Sequence, residues 1–281
     1  MPGPSLQAAV SWLAAHPDEA PALEAPLHPS KLGTKQHWDE VSHRRVGPIR
    51  EDQGEVWFGE DASDKMVEWV QEHVPQTDAN LLDLGTGNGQ LLFRLSEEGY
   101  TSLTGIDYSP SSIELAESIL SSTTPDPKPS INFFVSDILS HDPDPRLTQK
   151  RWKVLLDKGT YDAICLSDEI DPKEGVRIGE LYPTAVAGLL DEEGYFLITS
   201  CTLSLRRKDE LFFLLRTADP FIAHGTSLTG NWTRAELETA FITPQTGLIF
   251  HSLVPRPSFS FGGSTGSSIT TIAFQKKKTE A

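Results

Sequence analysis

Apolar and polar positions along this chain switch repeatedly between a period near two and a period near 3.6, and each switch marks an element boundary. Asp61–His73 carries Met66, Val67, Trp69 and Val70 at helical spacing, with acids in its first turn. Asn80–Leu84 then reads as a buried strand and Gln90–Glu98 as a helix. Leu103–Asp107 is a second strand, Ser111–Leu120 a second helix, and Ser121–Ser130 a loop rich in Ser and Pro. Ile131–Val135, Lys153–Asp157 and Gly194–Cys201 follow as strands three to five. Strands alternating with helices predict right-handed crossovers and a parallel sheet with helices on both faces. The last two apolar runs, Gly247–Val254 and Ser268–Phe274, are separated by a Gly/Ser-rich turn without a helix, which predicts an antiparallel pair at the sheet edge. The expected fold is α/β: a Rossmann-like, mostly parallel sheet of seven strands with an antiparallel C-terminal pair.

Composition narrows the function classes. A chain of 281 residues with 38% hydrophobic content buries one sizeable core. The net charge of −16 and the lack of a basic patch argue against a nucleic-acid surface; such a charge either attracts a basic protein partner or serves solubility alone. No apolar run approaches ~18 residues, so no membrane span is expected, and no signal peptide is seen. Cys165 and Cys201 are the only cysteines, which suits a reducing compartment and excludes a disulfide scaffold. No metal-ligand cluster and no Ser-His-Asp grouping stand out.

The chemistry concentrates after the strands. Leu81-Leu82-Asp83-Leu84 runs into Gly85-Thr86-Gly87-Asn88-Gly89, a turn whose glycines let backbone approach a ligand closely. Gln90 replaces the third glycine of a dinucleotide fingerprint. Asp83, inside the strand, suits a ligand with an ammonium group better than a pyrophosphate. Asp107, with Tyr108 beside it, ends the second strand where a carboxylate accepts from ribose hydroxyls. Asp137 follows the third, placed to accept from an adenine amino group, with Ile138 packing on the ring. Three acids at successive strand ends, with this glycine spacing, point to S-adenosylmethionine. The competing reading is that Asp107 and Asp137 only cap their turns.

Beyond strand four the sequence reads Asp157-Lys158-Gly159-Thr160-Tyr161-Asp162. With Pro29-Ser30-Lys31-Leu32-Gly33-Thr34-Lys35, Trp38-Asp39, Gly54-Glu55-Val56-Trp57-Phe58-Gly59-Glu60 and Ser258-Phe259-Ser260-Phe261-Gly262-Gly263, the chain resembles the family that methylates a lysine of translation elongation factor 1-alpha. The resemblance runs from about Pro29 to Lys277 and leaves residues 1–28 as a variable arm before a methyltransferase domain at 29–281. It implies a seven-strand methyltransferase, a cytoplasmic location and transfer to a lysine side chain. Asp157 is the expected catalytic residue, orienting the incoming amine at the end of strand four; capping of the turn to Tyr161 is the alternative. Trp57 is expected on the cofactor site or packed in the core. A methyltransferase acting on another protein, RNA or a small molecule, or an adaptor keeping the fold, are the rival functions. An RNA enzyme is expected to carry a basic face or an Asn-Pro-Pro-Tyr-like motif after strand four.

One stretch interrupts the resemblance. In the family a Ser-Cys pair runs directly into Asn-Trp-Thr, whereas here Cys201 and Asn231 are separated by residues 202–230. The codons of Cys201-Thr202 can hold a GTAC donor, those of Ala218-Asp219 a CTGAC branch sequence and those of Thr229-Gly230 an ACAG acceptor. The expectation is a retained intron, the alternative a family-specific loop. Beyond it, Thr233-Arg234-Ala235-Glu236 reads as a capping box that starts a helix.

Overall fold

A computed structural model of the chain describes residues 30–43, 58–122, 130–201, 232–255, 259–261, 264–266 and 269–278. The expected arm at 1–28, Trp57 and the segment 202–230 lie outside the described residues. The strands are β1 (Leu81–Leu84), β2 (Leu103–Asp107), β3 (Ile131–Val135), β4 (Trp152–Lys158), β5 (Leu190–Cys201), β6 (Leu248–Leu253), β7 (Phe259–Phe261), β8 (Ser264–Gly266) and β9 (Ile269–Lys276). The α-helices are α1 (Lys35–His43), α2 (Glu60–His73), α3 (Gln90–Glu97), α4 (Pro110–Ser122), α5 (Pro145–Thr148), α6 (Thr160–Cys165), α7 (Ile178–Leu189) and α8 (Arg234–Phe241).

Seven strands form one sheet in the order β3-β2-β1-β4-β5-β9-β6, and β7 and β8 form a separate two-stranded ribbon. The pairs β1–β2, β1–β4, β2–β3 and β4–β5 are parallel. β9 runs antiparallel to both β5 and β6. The expected antiparallel pair is therefore present, with β9 inboard and β6 at the edge. The chain runs outward from β1 to β3 and then crosses back to β4. That reversal opens a crevice between the ends of β1 and β4, where open α/β sheets take their ligands.

Alternation along the strands explains the two apolar layers. In β4, Val154 and Leu156 pack with Met66, Trp69 and Val70 of α2, Leu92 and Leu95 of α3 and Ile113 of α4. Leu155, between them, faces the other layer with Tyr182 and Val186 of α7 and Leu237 and Phe241 of α8. Each such large side chain, fully buried, contributes about 1.5–3 kcal/mol. Helix ends follow local chemistry. Glu60 and Asp61 sit in the first turn of α2, favoured by the helix dipole, and Arg94 of α3 pairs with Glu60 and Asp64. The capping box at α8 forms as expected: Glu236 accepts from the Thr233 amide at 2.8 Å, and the Thr233 hydroxyl oxygen accepts from the Glu236 amide at 3.3 Å. α7 has no counterpart in the sequence reading, because Pro183 in its interior is a stop signal by pattern alone. Tyr182 and Val186, both fully buried, hold that helix through tertiary packing instead.

Candidate cofactor and active site

A cavity of about 920 Å³ opens over the ends of β1, β2, β3 and β4. Its size falls within the ~300–1,000 Å³ of small-molecule sites. Gly85, Thr86, Gly87, Asn88, Asp107, Tyr108, Asp137 and Ile138 all line it. Gly85, Gly87 and Gly89 all have positive φ, at 67°, 54° and 78°. A Cβ on Gly85 would overlap the Thr160 side chain, whereas one on Gly87 would meet nothing. The loop thus needs glycine at Gly85 to let strand four's turn pack against it, and leaves bare backbone at Gly87 for a ligand. Gly89 lies off the cavity wall, where it starts α3.

Each strand end is locked by an aspartate. Asp107 accepts from the amides of Gly87 at 3.1 Å and Ser109 at 2.9 Å. Each carboxylate oxygen has a second lone pair, so it can bond a ribose hydroxyl as well. Burial pushes Asp107 up to about 6, against the pull of those amides. Exposed Asp137 accepts from the Leu139 amide at 2.8 Å, so it caps its turn while standing on the cavity wall. For both residues the capping and ligand readings are compatible.

Two expected residues stand behind the wall rather than on it. Asp83 is buried, accepts from the Thr86 hydroxyl at 2.8 Å, and is pushed up to about 7 by burial, with the Thr86 bond and the Lys158 charge pulling it back. Asp157 is fully buried. Its carboxylate accepts from the Thr160 amide at 2.7 Å, the Tyr161 amide at 3.0 Å and the Tyr182 hydroxyl at 2.7 Å. Burial pushes it up to about 6, less than it would without those donors. The turn at Gly159, with φ at 94°, brings the first amides of α6 back over the carboxylate, which is why Asp157 faces the helix and not the cavity. The same turn sends the Thr160 hydroxyl to the Leu84 carbonyl at 2.6 Å, tying strand four's turn to the glycine loop.

The sequence reading missed the opposite wall. The short 3-10 turn Lys31–Gly33 and α1 form a strap that contributes Gly33, Thr34, Lys35, Trp38 and Val41 to the cavity. Gly33 presses on the backbone of Leu166 and Ser167, where a Cβ would overlap, and the Ser30 amide bonds the Leu166 carbonyl at 3.1 Å. Trp38 is fixed by its ring N–H to the Leu32 carbonyl at 2.7 Å. Ser167, Asp168, Glu169, Asp171 and His141 complete the rim, with His141 and Asp171 paired at 2.8 Å. The strap residues belonged to the resemblance, but no period or spacing assigns them a role. Tyr182, the third donor to Asp157, carried no signal either.

Comparison with known proteins bears on the same residues. A family model described as a methyltransferase domain matches residues 75–238. The Schizosaccharomyces pombe protein-lysine N-methyltransferase efm4 is 40% identical over 265 residues, covering 89% of this chain and 95% of that protein. The human EEF1A lysine methyltransferase 2 is 35% identical, covering 94% of each chain. The Saccharomyces cerevisiae protein-lysine N-methyltransferase EFM4 is 33% identical, covering 90% of this chain and 98% of that one. Among solved structures, magnesium protoporphyrin IX methyltransferase from Synechocystis PCC 6803 with bound SAH superposes with a TM-score of 0.56 at 13% identity, covering 86% of this chain and 98% of that one. A SAM-dependent methyltransferase from Anabaena variabilis gives 0.57 at 14%, covering 91% and 99%. At such identities these two share the fold alone. S-adenosylmethionine is the cofactor, and the chain belongs to the efm4/EEF1A lysine methyltransferase 2 family of protein-lysine N-methyltransferases.

Proposed function

We propose that this enzyme methylates a lysine of translation elongation factor 1-alpha in the cytoplasm and does not act on nucleic acid. The observation that carries the substrate is identity of 33–40% over most of the chain to relatives named for that activity or for protein-lysine methylation. The net charge of −16 supports a basic protein partner.

On this reading each residue of the cavity wall has a part. Asp107 takes the ribose hydroxyls, Asp137 the adenine amino group, and Ile138 packs on the ring, with Tyr108 beside them. The turn Gly85–Gly89 receives the amino-acid end against its bare backbone. S-adenosylmethionine supplies an electrophilic methyl on a sulfonium, and the attacking lysine must arrive neutral. A free lysine has a pKa near ~10.4, and desolvation in a closed site lowers it. Alignment of the reacting atoms supplies much of the remaining rate. Asp157 acts as a positioning residue: it fixes the Gly159–Thr160 turn that forms the cavity wall beside the glycine loop. Asp83 acts through Thr86 and Lys158, which do reach the cavity.

The test is incubation of the purified enzyme with methyl-labelled cofactor and purified elongation factor 1-alpha, followed by peptide mapping. A single labelled lysine in the factor is expected. Label that appears only in RNA or in other proteins of a cytosolic extract would overturn the substrate assignment.

A further inference from the structure

A lysine reaches a methyltransferase site as an ammonium ion, and it must shed a proton before its nitrogen can attack. Once a protein substrate closes the mouth of the cavity, bulk water no longer meets that nitrogen, so a side chain at the mouth has to take the proton. Among the described residues of the cavity wall, Lys35 and Lys158 are themselves cationic, and Asp107 and Asp137 already accept from loop amides. His141 is the one imidazole on that wall. It stands on the loop after β3, where the Leu139 amide bonds the Asp137 carboxylate at 2.8 Å and the Asp142 amide bonds the Ser140 hydroxyl at 3.2 Å. These turn bonds fix the backbone on both sides of the histidine.

Its partner comes from another part of the chain. His141 Nε2 lies 2.8 Å from Oδ2 of Asp171, in the loop between α6 and α7. The Asp171 side chain is 6% exposed, and its other oxygen accepts from the amides of Glu174 at 2.8 Å and Lys173 at 2.9 Å. The Glu174 amide, with the Lys173 amide and His141, holds this carboxyl below the usual carboxylate range, so it is ionised at neutral pH. An ionised carboxylate only accepts, so Nε2 carries the hydrogen of the neutral ring and Nδ1 carries the lone pair. Among the described residues Nδ1 has no hydrogen-bond partner. The ring is 36% exposed, which gives a proton placed on it a way out to water. Asp142, Asp168 and Glu169, all exposed, stand on the same two loops along the cavity wall. They draw an ammonium toward the mouth and favour the charged ring.

We propose that His141 is a catalytic residue that takes the proton of the substrate lysine's ammonium, with Asp171 as the positioning residue that aims it. The nitrogen–hydrogen bond of the ammonium breaks, its electron pair stays on the lysine nitrogen as the attacking lone pair, and the proton joins Nδ1. The imidazolium rests against Asp171 until its proton passes to water, which restores the ring. One proton leaves in this way for each methyl added. The proposal rests on the reading of this cavity as the place where a lysine of elongation factor 1-alpha is methylated. The alternative is a pair that only pins the two loops together.

Single-turnover methylation of purified elongation factor 1-alpha, followed from about pH 6.5 to about pH 9 in the wild-type chain, His141→Gln and Asp171→Asn, separates the two. Glutamine keeps a nitrogen donor within reach of Asp171, and so keeps the pin, but takes no proton. The wild-type rate is expected to rise with pH and level off once the ring is neutral. His141→Gln is expected to lose ~100-fold at the low end and to keep rising, its deficit closing by up to about 10-fold per pH unit as hydroxide takes over. Asp171→Asn is expected to move the inflection to lower pH, because no carboxylate then favours the charged ring. Calorimetry on both variants should find S-adenosylmethionine affinity unchanged. Should His141→Gln fail to fold, His141→Asn takes its place. A deficit of the same factor at every pH leaves only the pin and overturns the proposal, as does a folded His141 variant with the wild-type rate. An inflection that stays in place in Asp171→Asn overturns the part given to Asp171. A wild-type chain that leaves the factor unlabelled refutes the substrate reading instead.

Discussion

The two flanks of the sheet are held together in different ways. On the cofactor flank, β3-β2-β1-β4, an aspartate within two residues of each strand end bonds a donor two to four residues ahead: Asp83 to Thr86, Asp107 to Ser109, Asp137 to Leu139, and Asp157 to Thr160 and Tyr161. On the other flank, the described contacts reach across the fold. Thr199 of β5 meets Thr271 of β9 at 2.8 Å, and the Ser200 hydroxyl reaches Asp162 of α6 at 2.6 Å. Trp232 stacks on Tyr161 with ring centres 5.1 Å apart. Each cofactor loop is turned by neighbours in sequence and then tied to the next by bonds such as Gly87 to Asp107 and Thr160 to Leu84, so a ligand meets an ordered site. The second flank depends on elements far apart in the chain.

The largest test of that contrast compares two glycines with similar left-handed φ, Gly85 at 67° and Gly247 at 63°. Gly85→Val drives a side chain into Thr160 and should abolish S-adenosylmethionine binding, a loss beyond ~100-fold. Gly247→Ala meets open space and should cost about 1 kcal/mol of stability with cofactor affinity unchanged. Calorimetry and thermal melts on both variants decide; equal effects on affinity would erase the distinction between the flanks.

Asp107→Ala comes next. It removes a carboxylate that both shapes the loop and meets the ligand, and should weaken cofactor binding by roughly 1.5–3 kcal/mol. Unchanged affinity in a folded variant would leave Asp107 as a cap alone. Asp157→Asn keeps the shape but loses the charge that gathers three donors. Turnover should fall by ~10-fold or more with cofactor affinity nearly intact, and the melt should drop by about 1–3 kcal/mol. Wild-type turnover would remove the turn from the mechanism.

Proton linkage gives a smaller effect with a definite sign. The folded-state values of Asp83, Asp107 and Asp157, about 7, 6 and 6, lie above the ordinary 3.8. Native protein therefore holds protons that the unfolded chain has released. The stability these groups contribute is complete below pH 3.8 and is lost as pH rises through 6 to 7. A cationic ligand favours their ionised forms. Cofactor affinity should accordingly rise from pH 5.5 to 7.2 by about 10-fold or less in calorimetry, and Asp107→Asn should flatten the slope. A slope of the opposite sign would place the sulfonium away from these acids.

The smallest expected effect concerns residues 202–230. We propose that they are absent from the mature enzyme and unnecessary for its fold. Ser200 and Trp232, on either side, contact Asp162 and Tyr161, which are adjacent in sequence, so the two ends meet over one turn of α6. Joining Cys201 to Asn231 should leave the melting temperature within about 2 °C and cofactor affinity unchanged. Transcripts that all retain the segment, or a joined chain that fails to fold, would count against it.

This contrast also explains what the sequence disclosed. The glycine turn and the three acids near the ends of β1, β2 and β3 were readable because each locks a loop within a few residues of itself. Asp157 was read either as orienting the amine or as capping the turn to Tyr161, and only the left-handed turn at Gly159 shows that its carboxylate faces α6. α7 was hidden by Pro183, and Tyr182, which donates to Asp157 across 25 positions, has no local mark. The strap fared likewise: Trp38 and Gly33 are held by Leu32 and Leu166 in a packing that no periodicity encodes.

β9 carries a consequence for biosynthesis. It follows β6 in the chain yet lies between β6 and β5, so β6 has no sheet to join until β9 has been made. A nascent chain that has emerged as far as Leu253 can assemble β3-β2-β1-β4-β5 and offer a formed cofactor cavity, while β6 waits with both edges unpaired. The interval between those two segments is a window for chaperone capture or misassembly. Binding of S-adenosylmethionine to the part already folded would steady the growing enzyme before its last strand arrives.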